Sequence, residues 1–256
     1  MGGKGDENIL DIEELERSYY TDSADGEQIT YSVLKGLSFQ VKAGEFIGIM
    51  GTSGCGKTTL LKTLGMLDLP TGGNVRYKGV PASRILGDRL ARIRRTELAF
   101  VFQDFYLMDS LTVKENIMMP LILNEDNPEK SEQTAVRMAK QFGIGPLLNK
   151  KPYELSGGEK QRTAICRAMA ADPELILADE PTGNLDSNSS MLVIKALSHI
   201  NKKMGKTIVL VTHDPKVASY CDKIILLKDG MILNTLERNG EKKEFYQKIL
   251  RQMVKL

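Results

Sequence analysis

The sequence lacks the features of membrane-spanning and disulfide-stabilised proteins. No window in its 256 residues approaches the run of about 20 consecutive apolar residues that a membrane-spanning helix needs. Its three cysteines, Cys55, Cys166 and Cys221, are widely spaced and form no Cys-x-x-Cys pair. A disulfide framework or a zinc site is therefore not expected, and a reducing cytoplasm is the compartment that fits this cysteine usage.

A strong excess of charge is also missing. The chain has 35 Lys and Arg against 33 Asp and Glu, for a net charge of +2. This balance provides no general attraction to nucleic acid and leaves room only for a local basic patch. The sequence is otherwise that of an ordinary globular protein, 41% hydrophobic and 27% charged, with enough residues to bury a core.

Short apolar runs alternate with helical patterns along the chain. Residues 175–178 and 208–211 are apolar at every position, as in parallel strands that are buried on both faces. Residues 111–148 follow a helical period with no strong strand, which indicates a helical insertion. We therefore predict an α/β fold with a mainly parallel sheet and a small N-terminal sheet.

The element boundaries follow from the same patterns. The helix after residue 179 places Val193, Leu197, Ile200 and Met204 on one face, and Gly205 is expected to end it. Other helices are predicted at 57–67, at 83–95 and from residue 157 onward, and a loop at 21–27. Strands are predicted at residues 9–15, 31–41, 45–50, 98–103, 175–179, 207–212, 223–227 and 231–235.

A glycine-rich loop lies between a predicted strand and a predicted helix. It fits the pattern Gly-x-x-x-x-Gly-Lys-Ser/Thr with Gly51-Thr52-Ser53-Gly54-Cys55-Gly56-Lys57-Thr58. Glycines let the backbone N–H groups turn towards a triphosphate, and the positive end of the following helix faces the same anion. Lys57 can then reach the β- and γ-phosphates, the Thr58 hydroxyl can ligate Mg²⁺, and Thr59 is assigned to the same site.

Cys55 within this loop has two interpretations. The helix end could lower its thiol pKa and make it sensitive to oxidation. Alternatively it is a small side chain that points away from the nucleotide, and this second interpretation is the favoured one.

Two carboxylates follow the apolar run at 175–178. Parallel strands end where their sheet binds ligands, so Asp179 is predicted to hold Mg²⁺ and Glu180 to orient and deprotonate the attacking water. His213 directly follows another predicted strand, where it could contact the γ-phosphate or be an ordinary loop histidine. His199 is expected to be structural or exposed.

The stretch Leu155-Ser156-Gly157-Gly158-Glu159-Lys160-Gln161-Arg162 narrows the class of NTPase. Ser-x-x-Glu alone is a capping box that could start any helix. That interpretation does not explain Gly157 and Gly158, which suit a site where backbone amides meet a phosphate.

With this stretch the sequence resembles the ABC ATPase family from about residue 9 to residue 235. The family's motifs occur here in the family's order: an early aromatic, the phosphate loop, Gln103, the Leu-Ser-Gly-Gly signature, Asp179-Glu180, Asn184-Leu185-Asp186 and His213. The resemblance implies a P-loop NTPase core with an antiparallel N-terminal β subdomain. It also implies an inserted helical subdomain at about residues 104–165.

The resemblance also implies a role for each matching residue. Tyr19 would stack on adenine, with Tyr20 as the competing candidate, and Gln103 would contact Mg²⁺ and the water. Ser156, Gly157, Gly158 and Glu159 would bind the ATP held by a second copy of the chain, Asp186 would cross the dimer interface, and His213 would act as the switch histidine.

Further strings resemble one branch of the family. Residues 102–105, 111–116, 179–186 and 212–215 are similar to ATPases of lipoprotein release and macrolide efflux, and residues 105–109 and 218–221 to bacitracin-type transporters of Gram-positive bacteria. This implies an integral membrane permease, a sensor histidine kinase, and a location on the cytoplasmic face of the membrane. The function expected is ATP-driven export of, or resistance to, peptide antibiotics.

Three alternatives stay open. One is a lipoprotein-release ATPase, and another is a mechanotransmission ATPase without a transported substrate. A non-transport ABC ATPase acting on nucleic acid is disfavoured, because the segment between phosphate loop and signature is short and has no cysteine. The domains expected are an ATP-binding domain at 1–240 and an amphipathic C-terminal helix at 241–256, which carries Phe245, Ile249 and Met253 at helical spacing.

Overall fold

The structure is a computed structural model that describes residues 7–22 and 27–256. The described residues form two compact units: one comprises the chain up to Leu86 together with Val211–Leu256, and the other is Gly87–Leu210. The strands are β1 (Asn8–Asp22), β2 (Gln28–Lys42), β3 (Phe46–Gly51), β4 (Gly72–Tyr77), β5 (Val80–Pro81), β6 (Leu98–Val101), β7 (Leu175–Asp179), β8 (Thr207–Val211), β9 (Lys223–Lys228) and β10 (Met231–Glu237). The helices are α1 (Lys57–Leu64), α2 (Gly87–Thr96), α3 (Val113–Leu123), α4 (Pro128–Gln141), α5 (Gly157–Ala170), α6 (Ser187–Met204), α7 (Pro215–Ala218) and α8 (Lys242–Met253).

The first unit contains an antiparallel sheet and part of a mixed one. The antiparallel sheet has the strand order β2-β1-β4-β5. In the mixed sheet β9 pairs in parallel with β3 and antiparallel with β10. All six residues of β3 are buried, as expected for a central strand covered on both faces. The helix α8 packs on this unit through Phe245 and Ile249, which are 3% and 0% exposed.

The second unit combines three strands with five helices. Its strands have the order β8-β7-β6, and β6 and β7 are parallel. The helix α6 buries Val193, Leu197 and Ile200 and ends at Gly205, which adopts the left-handed conformation (φ 67°). The helices α3 and α4 occupy the predicted helical insertion. In the described part of the chain, no helix has the length and apolarity needed to cross a membrane.

The predicted α/β class with an N-terminal antiparallel sheet is confirmed, but several element boundaries were wrong. The strand β1 has 15 residues where seven were predicted, and β2 has 15 where 11 were predicted. The loop expected at 21–27 lies largely outside the described residues. The predicted helix at 83–95 is interrupted because Gly87 has a left-handed φ of 55°, so α2 begins there. The strand predicted at 98–103 ends at Val101. The strand β4 was missed, since its first residues Gly72 and Gly73 resemble a helix stop.

Candidate functional site

The phosphate loop connects the carboxyl end of β3 to α1. The Lys57 ammonium group lies over this loop and donates hydrogen bonds to the carbonyl oxygens of Gly51 (3.0 Å) and Thr52 (2.9 Å). Gly51 has to be a glycine, because a Cβ there would lie 2.4 Å from the carbonyl oxygen of Leu227 on β9. The loop is therefore packed tightly against the sheet on one side.

The start of α1 differs from the starts of most other helices in the structure. A side chain at the N-cap accepts backbone hydrogen bonds in α3, α4, α5, α6 and α7. The helix α1 instead follows Gly56, which has a left-handed φ of 101°, and its first turn contains no acidic residue. A Cβ on Gly54 would meet no atom within 4 Å, so another group can approach the backbone there. Such a helix start is suited to binding a polyphosphate.

Cys55 is buried within the loop and is 4% exposed. Burial raises the pKa of its thiol above the ordinary value, and the nearby Lys57 opposes this shift only in part. A buried thiol with a raised pKa is a poor nucleophile. The geometry therefore favours the second interpretation of Cys55, a small packing side chain.

The pairing of β1 with β2 separates the two candidate tyrosines. Arg17 is paired with Leu34, and Tyr19 shares the face of Arg17, whose guanidinium lies 4.5 Å from the centroid of the Tyr19 ring. Leu34 contacts the phosphate loop: a Cβ built on Gly56 would lie 2.9 Å from its Cδ2. Tyr20 points to the opposite face of the strand. The register thus favours Tyr19 over Tyr20 as a residue of the nucleotide site.

His213 lies just beyond β8 and is exposed. The preceding residue, Thr212, donates a backbone hydrogen bond to the carbonyl oxygen of Ile49 on β3 (3.1 Å). Ile49 lies two residues before Gly51. This hydrogen bond therefore attaches the residue before His213 to β3, the strand that leads into the phosphate loop. His199, in contrast, is an exposed residue of α6.

The predicted Mg²⁺ ligand Asp179 and the predicted base Glu180 lie at the carboxyl end of β7. Asp179 is its last residue, and Glu180 follows with a φ of 45°. A left-handed conformation of a residue other than glycine costs about 1–3 kcal/mol, so the surrounding turn has to stabilise it. The turn continues with a hydrogen bond from the Gly183 N–H to the Glu180 carbonyl oxygen (2.9 Å).

Gln103 is held against the same turn. Its Nε2 donates to Oδ1 of Asn184 (2.9 Å), and Asn184 donates from Nδ2 to Oδ1 of Asp104 (3.2 Å). A Cβ on Gly183 would lie 3.0 Å from the Gln103 amide. The structure therefore brings Gln103 together with the turn that begins at Glu180.

The predicted signature residues form the first turn of α5. The Glu159 carboxylate accepts hydrogen bonds from the N–H (2.8 Å) and the hydroxyl (2.9 Å) of Ser156, and the Ser156 hydroxyl accepts from the Glu159 N–H (3.4 Å). The bond from the Ser156 N–H in particular lowers the pKa of Glu159 below its ordinary value. The capping box is therefore present at the signature.

The signature glycines also have a packing reason, which the sequence analysis did not identify. A Cβ on Gly158 would lie 2.7 Å from Oγ of Ser189, and a Cβ on Gly157 would lie 3.1 Å from Cδ2 of Leu185. The first turns of α5 and α6 thus approach so closely that glycine is needed at 158. The nucleotide role of both glycines stays a prediction.

Asp186 caps the neighbouring helix α6. Its Oδ1 accepts hydrogen bonds from the N–H groups of Asn188 (2.9 Å) and Ser189 (3.1 Å). Hydrogen bonds from Ser189 lower the pKa of the Asp186 carboxyl. This is a structural role that the sequence analysis did not identify, and the dimer role stays a prediction.

Sequence reasoning missed two residues of α5 that hold the loop after β6. Gln161 donates from Nε2 to the carbonyl oxygen of Phe102 (3.2 Å). Arg167 donates to the carbonyl oxygens of Phe105 (2.8 Å) and Tyr106. Phe105 and Tyr106 both have left-handed φ values, 62° and 45°. Gln161 and Arg167 are far from this loop in the sequence, so no local sequence pattern indicated these contacts.

Known proteins match this chain over most of its length. The family model described as "ABC transporter" matches residues 34–183. The ABC transporter ATP-binding protein YxdL of Bacillus subtilis is 43% identical over 243 residues, which cover 95% of this chain and 92% of that protein. The bacitracin export ATP-binding protein BceA of Halalkalibacterium halodurans is 40% identical over 244 residues, which cover 95% of this chain and 94% of BceA.

A solved structure is similar as well. It is the dimeric post-hydrolysis state of the ATP-binding cassette MJ0796 bound to ADP and Pi. The TM-score is 0.82 at 37% sequence identity, and the match covers 91% of this chain and 100% of that chain.

Proposed function

The chain belongs to the ABC transporter family as an ATP-binding and ATP-hydrolysing subunit, and from this premise we propose that it powers a separate membrane permease for export of, or resistance to, peptide antibiotics. The observation that carries the proposal is the 40% identity to a bacitracin export ATP-binding protein across 95% of the chain. The strings at 105–109 and 218–221 that resemble bacitracin-type transporters support it.

The residues assigned to nucleotide chemistry act as follows in this proposal. The loop at 51–58 and Thr59 bind the phosphates, and Tyr19 stacks on the adenine base. Glu180 deprotonates the attacking water, assisted by His213. Thr58, Gln103 and Asp179 would hold Mg²⁺, and the ion would supply positive charge against the charge that develops on the phosphates.

A second copy of the chain completes the working unit. The signature residues 156–159 and Asp186 of each copy face the nucleotide held by the other, and two ATP molecules lie between the copies. The dimeric MJ0796 structure, which has ADP and Pi bound, supports this arrangement. ATP then closes the dimer, and hydrolysis lets it reopen because the γ-phosphate no longer links the two copies.

The transport path belongs to another chain in this proposal. YxdL and BceA are both named as ATP-binding proteins of transport systems, which supports a partnership with an integral membrane permease. The chain would then act at the cytoplasmic face of the membrane. A sensor histidine kinase as an additional partner rests only on the resemblance of the sequence to bacitracin-type systems.

The proposal is tested in cells that carry the gene. Replacing Lys57 by Ala removes the ammonium group that contacts the phosphates, so we expect higher sensitivity to bacitracin and related peptides. The measurement is the minimal inhibitory concentration, together with ATPase activity of the purified chain.

Arg76→Gln is the control, because the Arg76 side chain forms an ion pair with Glu13 at 4.0 Å in the antiparallel sheet and has no assigned role at the nucleotide. It should leave sensitivity unchanged. If Lys57→Ala abolished ATP hydrolysis and left peptide sensitivity unchanged, the peptide-antibiotic function would be wrong while the ATPase assignment would stand.

A further inference from the structure

Tyr19 is held by two neighbouring side chains. Its hydroxyl donates a short hydrogen bond to Oδ2 of Asp68 (2.6 Å). The same carboxylate accepts from Arg17 at both oxygens, Nε to Oδ2 at 3.0 Å and Nη2 to Oδ1 at 2.7 Å. The Arg17 guanidinium lies 4.5 Å from the centroid of the Tyr19 ring. Arg17, Tyr19 and Asp68 are called the Asp68 cluster below.

Each member of the Asp68 cluster contacts the other two. The forked contact between guanidinium and carboxylate fixes both groups in orientation as well as distance. The side chains of Arg17 and Asp68 are each 20% exposed, so their ion pair is partly shielded from water. Tyr19 itself keeps 37% exposure. The ring is therefore fixed at its hydroxyl and along one face while part of it stays accessible.

The cluster also connects Tyr19 to the segment that follows α1. Asp68 lies four residues after Leu64, the last residue of the helix that starts at the phosphate loop. Three residues further on, the Thr71 N–H donates to the carbonyl oxygen of Glu16 (2.9 Å), and the Thr71 hydroxyl accepts from the Ser18 N–H (3.0 Å). These bonds fix the position of Asp68 relative to β1.

We propose that Arg17 and Asp68 are positioning residues for the adenine base. They orient the Tyr19 ring before the nucleotide binds, with Arg17 on one face and the base on the other. This inference rests on the proposed function, since it requires that Tyr19 stacks on adenine. Ordering a side chain in advance removes an entropic cost of binding, which corresponds to about two- to tenfold in affinity for one side chain.

The test compares a nucleotide with a ligand that has phosphates but no base. The full chain is titrated calorimetrically with the non-hydrolysable ATP analogue adenylyl imidodiphosphate and, separately, with inorganic tripolyphosphate. In Asp68→Asn and Arg17→Gln we expect the Kd of the nucleotide to rise about two- to tenfold and the Kd of tripolyphosphate to stay unchanged. In ATPase assays the KM for ATP rises and kcat is retained.

Tyr19→Ala provides the second arm of the test. If Asp68 acts through the ring, Asp68→Asn should cause no further loss of nucleotide affinity in the Tyr19→Ala background. Arg76→Gln, which breaks another ion pair of the same sheet (4.0 Å), should leave both affinities unchanged.

Three results would overturn the proposal: unchanged nucleotide affinity in Asp68→Asn and Arg17→Gln, equal loss for both ligands, or a persistent effect of Asp68→Asn without the Tyr19 ring. Equal loss would mean that the substitutions loosen the unit as a whole. A wild-type chain that bound no nucleotide would instead contradict the proposed function, so the two failures are distinguishable.

Discussion

Glu180 is unusual both in its proposed role as the catalytic base and in its backbone conformation. It follows the buried strand β7, and its backbone adopts a left-handed φ of 45°. The surrounding turn, closed by the hydrogen bond from Gly183, has to compensate for this conformation. Neighbouring residues thus hold Glu180 in one backbone position, which suits its proposed role of orienting a water molecule.

Replacing Glu180 by Gln should leave ATP binding intact and slow ATP hydrolysis. The amide keeps the size of the side chain but cannot accept a proton, so we expect ATP affinity to be retained and kcat to fall about 100-fold or more. Steady-state ATPase assays and nucleotide titrations measure the two quantities. Glu174→Gln, just before the opposite end of the same strand, should hydrolyse ATP at a near-normal rate. Near-normal turnover in Glu180→Gln would show that another group is the base.

At the scale of elements, α5 has different roles at its two ends. Its first turn is closed by the Ser156–Glu159 capping box and lies against α6 at Gly158. Its last turn carries Arg167, which binds the carbonyl oxygens of Phe105 and Tyr106. The signature and the loop containing Gln103 are therefore attached to one helix.

Arg167→Gln should loosen this attachment. A shorter neutral side chain leaves two carbonyl oxygens without their donor, so we expect the free energy of unfolding to fall by about 1–3 kcal/mol. Denaturant unfolding followed by circular dichroism measures the change. Lys114→Gln, which breaks the more exposed ion pair with Glu132, should cost at most about 1 kcal/mol. An equal effect of both substitutions would contradict a special role of Arg167.

The sequence could predict those elements whose signals are local. The strand β7 was found with its correct limits because its apolar run ends abruptly in two carboxylates, and Gly205 was recognised as the end of α6. The strand β4 was missed because its glycines were interpreted as a turn. In the structure Gly73 has a left-handed φ of 69° and lies against the backbone of Glu14, a long-range contact that the sequence does not reveal.

The candidate site shows the same limit. The phosphate loop, the signature and Asp179-Glu180 are contiguous motifs and could be read directly. Asp68 and Arg17 are 51 positions apart, and neither belongs to a motif, so nothing in the sequence linked them to Tyr19. The packing of Gly158 against Ser189 depends in the same way on how two distant segments meet.

At the scale of the whole molecule, the proposed function divides the nucleotide residues between two copies of the chain. The phosphate loop and Tyr19 are assigned to the nucleotide of their own copy. The proposed function assigns the signature to the nucleotide of a second copy. The oligomeric state should therefore depend on ATP.

The Glu180→Gln chain offers a direct measurement of this dependence. With ATP and Mg²⁺ it cannot hydrolyse the ligand that joins the two copies, so we expect twice the mass of one chain in size-exclusion chromatography with light scattering. Adding Lys57→Ala should return the species to a single chain, because phosphate binding is lost. A doubly substituted chain that still dimerised on addition of ATP would contradict the role of nucleotide in joining the copies.

The glycine at the start of α1 has a consequence for engineering the stability of this protein. Five other helices begin with a side chain that satisfies their first N–H groups, so a design that treats all helices alike would add a Ser or Asp at position 56. A carboxylate there would repel the triphosphate, and any residue with a Cβ would be strained at a φ of 101°. Helix-stabilising substitutions are thus better directed to α8, which has no side-chain cap at Glu241 and carries none of the residues assigned to the nucleotide.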